Sequence, residues 1–201
     1  MDTGLTTNRI ETLTDGIFAI AMTLLVLNIH LPEVGTACQP ELYVLVIGQS
    51  RLFYNYALSF ILLAVFWIIH HQQFNYIKRT DQRHIWLNIF ILMFVCLMPV
   101  STSLSGDYHG DWMAGVFFGS NMFILGTLFC LNWTYATKDY RLVDCDLDPH
   151  RIAVGKKRCM VTPLVSLLAI VLSLIIPTMA SYSYILILVI LHHPYFRHKP
   201  K

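Results

Sequence analysis

Residues 9–29 read Arg9-Ile10-Glu11-Thr12-Leu13-Thr14-Asp15-Gly16-Ile17-Phe18-Ala19-Ile20-Ala21-Met22-Thr23-Leu24-Leu25-Val26-Leu27-Asn28-Ile29. A helix needs about 20 mostly apolar residues to cross a bilayer, and this run supplies them. Asp15 stands inside it. A carboxylate in a spanning helix costs about 2.5–3.5 kcal/mol on insertion scales, so it is expected to face protein or water. Its place in the first two turns, near the membrane edge, lowers that cost. At about 100° per residue, Ile20, Leu24 and Leu27 fall within about 60° of one another, with Thr23 at their margin. Asp15 points about 120–180° away from them. One helix thus offers an aliphatic stripe on one side and a polar anchor on the other. Composition alone suits that stripe equally to lipid or to a pore.

The rest of the chain fits a membrane solvent. Of its 201 residues 56% are hydrophobic and 13% are charged, with a mean hydropathy of +0.57. A soluble domain carries about 25% charge, and one core of this size cannot hide so much apolar surface. Six apolar runs read as spans, at about 10–30, 43–71, 85–105, 112–136, 159–177 and 180–195. The last two come from dividing one nearly unbroken run at Pro177 and Ser181-Tyr182-Ser183, where a tight hairpin fits. The second is longer than a bilayer requires and either tilts or leaves its first turns outside. The expectation is an all-α integral membrane protein, one six-helix domain over residues 1–201.

Six spans place both termini on one side. Of the 14 Lys and Arg, all but Arg51 fall on that side, whereas Glu33, Glu41, Asp107 and Asp111 fall opposite. This positive-inside bias predicts cytoplasmic termini, and the stretch 138–158 then reads as a cytoplasmic connection. The net charge of +2, with no arm of basic and aromatic residues, argues against a nucleic-acid partner. The N-terminal run is no secretory signal, because no small-residue cleavage site follows it. Cys38, Cys96, Cys130, Cys145 and Cys159 form no CxxC pair and read as buried apolar thiols. No metal or other cofactor is expected. The pairs His70-His71 and His192-His193 lack the HxxHH spacing of a membrane diiron enzyme.

The first run closely resembles the signature of the transmembrane protein 175 family, the endolysosomal potassium channels and their shorter prokaryotic relatives. That signature is an arginine, three residues, Phe-Ser-Asp, and a helix ending in Thr-Leu-Leu-Val-Leu. Here stand Arg9, Leu13-Thr14-Asp15 and Thr23-Leu24-Leu25-Val26-Leu27. Leu13 replaces the Phe and loses its ring; Thr14 replaces the Ser and keeps its hydroxyl. Trp67-Ile68-Ile69-His70-His71-Gln72-Gln73-Phe74 resembles the family's Trp-x-x-His-His-x-x-Phe. Trp86-Leu87-Asn88 resembles its third-helix Trp-Leu-Asn, with Pro99 and Gly106 following.

The resemblance implies a homotetramer of six-helix subunits, with the first helices around a central pore for potassium and other monovalent cations. It maps Ile20, Leu24 and Leu27 onto an aliphatic constriction and Thr23 onto a hydroxyl layer beside it. It also implies a multi-pass protein of a prokaryotic cell membrane and no enzyme activity. No Thr-Val-Gly-Tyr-Gly filter occurs, so selection rests on an apolar ring that an ion crosses partly dehydrated. Potassium sheds water more readily than sodium, which makes that selection modest. If the helix is regular back to Arg9, this arginine lies on the stripe at the pore mouth; otherwise it caps the inner membrane edge. Thr14, Asp15, His70, His71, Trp86 and Asn88 are expected at similar depth, as a structural or gating polar cluster tying three helices together. A proton-coupled or small-solute transporter using Asp15 and the histidines is the rival reading, but paired broken helices are absent from the sequence pattern.

Overall fold

The computed structural model describes residues 7–30 and 42–192. Cys38, Glu33, Glu41, His193, Arg197, Lys199 and Lys201 lie outside the described residues. Helix α1 (Thr7–Leu24) runs into a 3-10 turn (Leu25–Asn28). Then come α2 (Leu42–Gly48), α3 (Ser50–Tyr76), α4 (Gln82–Cys96), α5 (Met98–Asp107) and α6 (Trp112–Thr137). After a 3-10 turn at Lys138–Tyr140 follow α7 (Pro149–Ile175), α8 (Pro177–Ala180), a 3-10 turn (Ser181–Tyr184) and α9 (Ile185–His192).

Side-chain chemistry sets the main boundaries. Asp81 accepts a hydrogen bond from the His84 amide at 2.8 Å and starts α4. Asp111 and Asp148 do the same for α6 and α7, accepting from Met113 and His150 amides at 2.8 Å. The Asp148 cap, followed by Pro149 in the first turn, starts the fifth span at Pro149 rather than at 159. The second half of the stretch read as a connection is therefore helix. The second run breaks at Gln49, and the third breaks at Leu97 ahead of Pro99, which has no N–H to give.

Among the described residues, five stretches are long and apolar enough to span: Thr7–Asn28, Ser50–Tyr76, Gln82–Asp107, Trp112–Tyr140 and Pro149–Ile175. The expected sixth, 180–195, is a shorter apolar segment, Pro177–Leu191, assembled from short helices. Pro177 ends the continuous ladder of α7, and the Ser183 hydroxyl bonds the Ala180 carbonyl at 2.6 Å within a 3-10 turn.

Helices α6 and α7 form the closest pair because small residues let their backbones meet. A Cβ on Gly126 would stand 2.8 Å from Pro163 Cδ. The main core spans both halves of the molecule, with Phe18, Leu25, Leu62, Leu63, Ile91, Val95, Met122 and Leu125 fully enclosed. Phe66 stacks on Phe129 with centroids 5.1 Å apart. Four of the five cysteines lie in described segments, and only Cys159 is buried; Cys96 and Cys145 are exposed and Cys130 half-buried, contrary to the buried-thiol expectation.

A clasp closes the Arg9 end of the bundle. Ile77 and Val143 form an antiparallel bridge, the Lys78 amide donates to Leu142 O at 2.9 Å, and Arg79 reaches Val143 O at 3.0 Å. Ile10 of α1 joins Phe74, Ile77, Ala136, Leu142 and Val143 in a small core beneath it. The Tyr135 hydroxyl donates to Asp81 Oδ2 at 2.6 Å. Burial alone would raise the Asp81 pKa, but the Tyr135 hydroxyl, the His84 amide and nearby Arg141 together hold it below its usual 3.8. A depressed carboxylate pKa contributes stability that is present above the unfolded-state value and is lost as pH falls through the folded one. Thermal unfolding between pH 7 and pH 3 should therefore show a loss on the acid side. Asp81→Ala should remove part of that dependence and cost about 1 kcal/mol at neutral pH, the usual worth of an N-cap.

Candidate functional site

The sequence of α1 has two unlike faces, and the fold uses them differently. Ile10, Thr14, Phe18, Ala21 and Leu25 are buried against the bundle, where α1 packs on α3, α4 and α5. Ile20, Thr23, Leu24 and Leu27 stand in one row on the other side. Ile20 is 59% exposed, Leu24 42% and Leu27 72%. The helix tightens to a 3-10 turn after Leu24, where i and i+3 eclipse, and this sets Leu27 directly above Leu24. The Thr23 hydroxyl donates to Ile20 O at 2.8 Å. Its proton is thus engaged, and its free lone pairs remain available on the exposed side. Helix α1 is regular back to Thr7, which satisfies the condition for Arg9 to share the stripe, and Arg9 is exposed. At the opposite end the Asn28 amide donates to Pro99 O at 2.8 Å, fixing the tip of the turn to α5.

The expected polar cluster is partly assembled. Trp67 Nε1 donates to Asp15 Oδ1 at 2.8 Å, so the carboxylate in α1 is answered by an indole of α3. His70 Nε2 lies 3.1 Å from Asn88 Oδ1. Because the amide oxygen can only accept, the proton of a neutral His70 sits on Nε2. Asp15 is within electrostatic reach of the His70 ring. Thr14 is fully buried, yet its hydroxyl has no hydrogen-bond partner. His71 and Trp86 fall outside the cluster: His71 is exposed beside Trp67, and Trp86 is 54% exposed and lies against Phe90.

The network extends where sequence reasoning did not follow it. Asn88 Nδ2 donates to His84 O at 2.8 Å and to Asn132 Oδ1 at 3.2 Å. Asn132 Nδ2 donates to Gln73 Oε1 at 2.9 Å, and Gln73 Nε2 reaches Phe129 O at 3.3 Å and Cys159 Sγ at 3.5 Å. Asn88, Gln73 and Asn132 are all buried. Four helices, α3, α4, α6 and α7, meet at this chain of amides. The available signal was Asn132 itself, which with Asn121 is one of two carboxamides in a mostly apolar run and must find partners inside the bundle.

Comparison with known proteins places these features in a family. Residues 9–99 match the sequence profile described as endosomal/lysosomal potassium channel TMEM175. A potassium channel of Streptomyces collinus is 30% identical over 144 residues, covering 70% of this chain and 69% of its own. A potassium channel of Chamaesiphon minutus is 30% identical over 172 residues, covering 84% of this chain and 85% of its own. The chain belongs to the TMEM175 family. The crystal structure of a lysosomal potassium-selective channel TMEM175 homolog from Chamaesiphon minutus matches the fold with a TM-score of 0.81 at 26% identity. The match covers 95% of this chain and 98% of that one. TMEM175 membership makes this an integral membrane protein, and its long apolar helices are the candidate spans. The TMEM175 profile ends at residue 99, so it holds Asp15, Trp67, His70 and Asn88 but not Asn132 or Cys159.

Proposed function

We propose that the protein is a subunit of a potassium-permeable, modestly selective cation channel. In this reading four copies assemble with their α1 helices around a common axis, and Ile20, Leu24 and Leu27 form stacked aliphatic rings. The observation that carries it is the division of α1 into a sealed face and a continuous exposed row of Ile20, Thr23, Leu24 and Leu27. The related bacterial proteins named as potassium channels support the choice of ion.

The geometry suits conduction by partial dehydration. An apolar ring offers an ion no ligands, so each cation crosses with whatever water it retains, and the more weakly hydrated potassium crosses more easily. Thr23 hydroxyl oxygens, with lone pairs free, replace part of the lost shell. The same ring closes by dewetting when it narrows and so acts as a gate. Arg9 lies on the row at one mouth, where four copies would raise the barrier to cation entry unless Glu11 and water screen them. The cluster around Asp15, Trp67, His70 and Asn88 holds α1 in position and takes no part in permeation. The clustering of basic residues supports cytoplasmic termini, with Pro177–Leu191 counted as a sixth crossing, and the bacterial relatives support a prokaryotic cell membrane.

Reconstitution into vesicles with outward potassium, sodium or caesium gradients tests the proposal. Passive flux above that of empty vesicles, faster for potassium than for sodium, is expected. Flux no faster than a carrier's, or coupled to a proton gradient, would move the assignment to a transporter.

A further inference from the structure

We infer that Cys130 of α6 and Cys159 of α7 form a redox-responsive pair, which peroxides close to an intramolecular disulfide. The inference is independent of ion conduction, and both residues lie beyond the segment 9–99 that matches the family profile.

The register of the two helices sets the cysteines opposite each other. Helices α6 and α7 run antiparallel, and small residues bring their backbones together on both sides of the pair. One turn before Cys130, a Cβ on Gly126 would stand 2.8 Å from Cδ of Pro163, which lies one turn after Cys159. One turn after Cys130, Trp133 packs on Gly155, which lies one turn before Cys159. A Cβ there would stand 2.5 Å from the indole Nε1. A disulfide needs Cα atoms within about 7 Å, and backbones this close suit it. The two thiols interact with each other.

Burial gives the two sulfurs different tasks. Cys130 is half-buried beside Leu131, which is 49% exposed, whereas Cys159 is buried. Gln73 Nε2 donates to Cys159 Sγ at 3.5 Å, and the Arg158 guanidinium is within electrostatic reach, so both favour negative charge on that sulfur as it attacks. Cys130 therefore meets the oxidant. Its sulfur attacks one peroxide oxygen, the O–O bond breaks, and the thiol proton leaves with the other oxygen as water. Cys159 then attacks the sulfenic sulfur of Cys130. The S–S bond forms, the S–O bond breaks, and the Cys159 proton leaves in a second water. The closed pair joins α6 to α7 beside Gln73, at the end of the buried amide network.

The test uses full-length protein in detergent, with Cys38, Cys96 and Cys145 replaced by serine. It is treated with hydrogen peroxide, and trypsin then cuts the connection between the helices at the exposed Lys138 or Arg141. The α6 and α7 fragments are expected to stay joined until dithiothreitol is added, and the uncut chain to lose the mass of two hydrogens. C130S should abolish the joined product, and C159S should leave a sulfenic acid on Cys130 that dimedone traps. If C159S does not fold, C130S carries the comparison alone. Fragments that separate without reductant would overturn the inference, as would disulfides between two chains in place of the joined fragments. So would an unpaired sulfonic acid on Cys130, or a joined product that survives in C130S.

Discussion

Ile20→Asn is expected to raise basal cation flux about tenfold and to bring the potassium-to-sodium ratio toward one. Tenfold corresponds to about 1.4 kcal/mol off the barrier, a small part of what a carboxamide supplies to a dehydrating ion. Ile20 is 59% exposed on a helix whose opposite face is packed, so the change places a polar group in the row without emptying the core. Leu27→Asn should act in the same direction at the far end of the row, where the 3-10 turn stacks Leu27 over Leu24. Ile20→Val keeps the ring apolar and should keep the selectivity. Ratios measured in reconstituted vesicles decide the matter. Asn variants with unchanged flux and selectivity would remove Ile20 and Leu27 from the permeation path and return the stripe to lipid.

Asn132→Leu carries the largest expected cost in stability. Its amide accepts from Asn88 and donates to Gln73, both buried, so the substitution orphans one polar group on each of two neighbouring helices. Each orphaned buried group costs about 1–3 kcal/mol, and a total of about 2–6 kcal/mol lowers the unfolding midpoint by roughly 4–24 °C for a chain of this size. Because Asn88 also faces His70, the loss should loosen α3 against α4 and raise proteolytic cleavage of the folded protein. A midpoint within a degree of wild type would show that the amide chain contributes nothing and that apolar packing alone holds the four helices.

The exposed face of α1 was legible in the sequence because it depends on one helix. Ile20, Leu24 and Leu27 share a side by the pitch of the backbone, and no neighbour is needed to work that out. The anchor Asp15 was legible as an expense in lipid, but its partner was not: Trp67 lies on another helix, and only packing brings the indole to it. His70 and Asn88 were expected together and meet, whereas His71 and Trp86 share their depth but turn outward. Depth can be counted along a run, but rotation about each helix axis is set by its neighbours. Asn132 and Gln73 escaped for the same reason, since their pairing joins α6 to α3 across 59 residues of chain.

By itself the sequence determined the membrane solvent and the composition of the α1 stripe. Hydropathy and helical pitch act residue by residue, so they need no tertiary contact. Tertiary structure alone decided which polar groups meet. The pairs Trp67–Asp15, Asn88–Asn132 and Asn132–Gln73 depend on how each helix is rotated against its neighbours. Those hydrogen bonds form between segments distant in the chain, and a linear reading carries no record of which segments become neighbours.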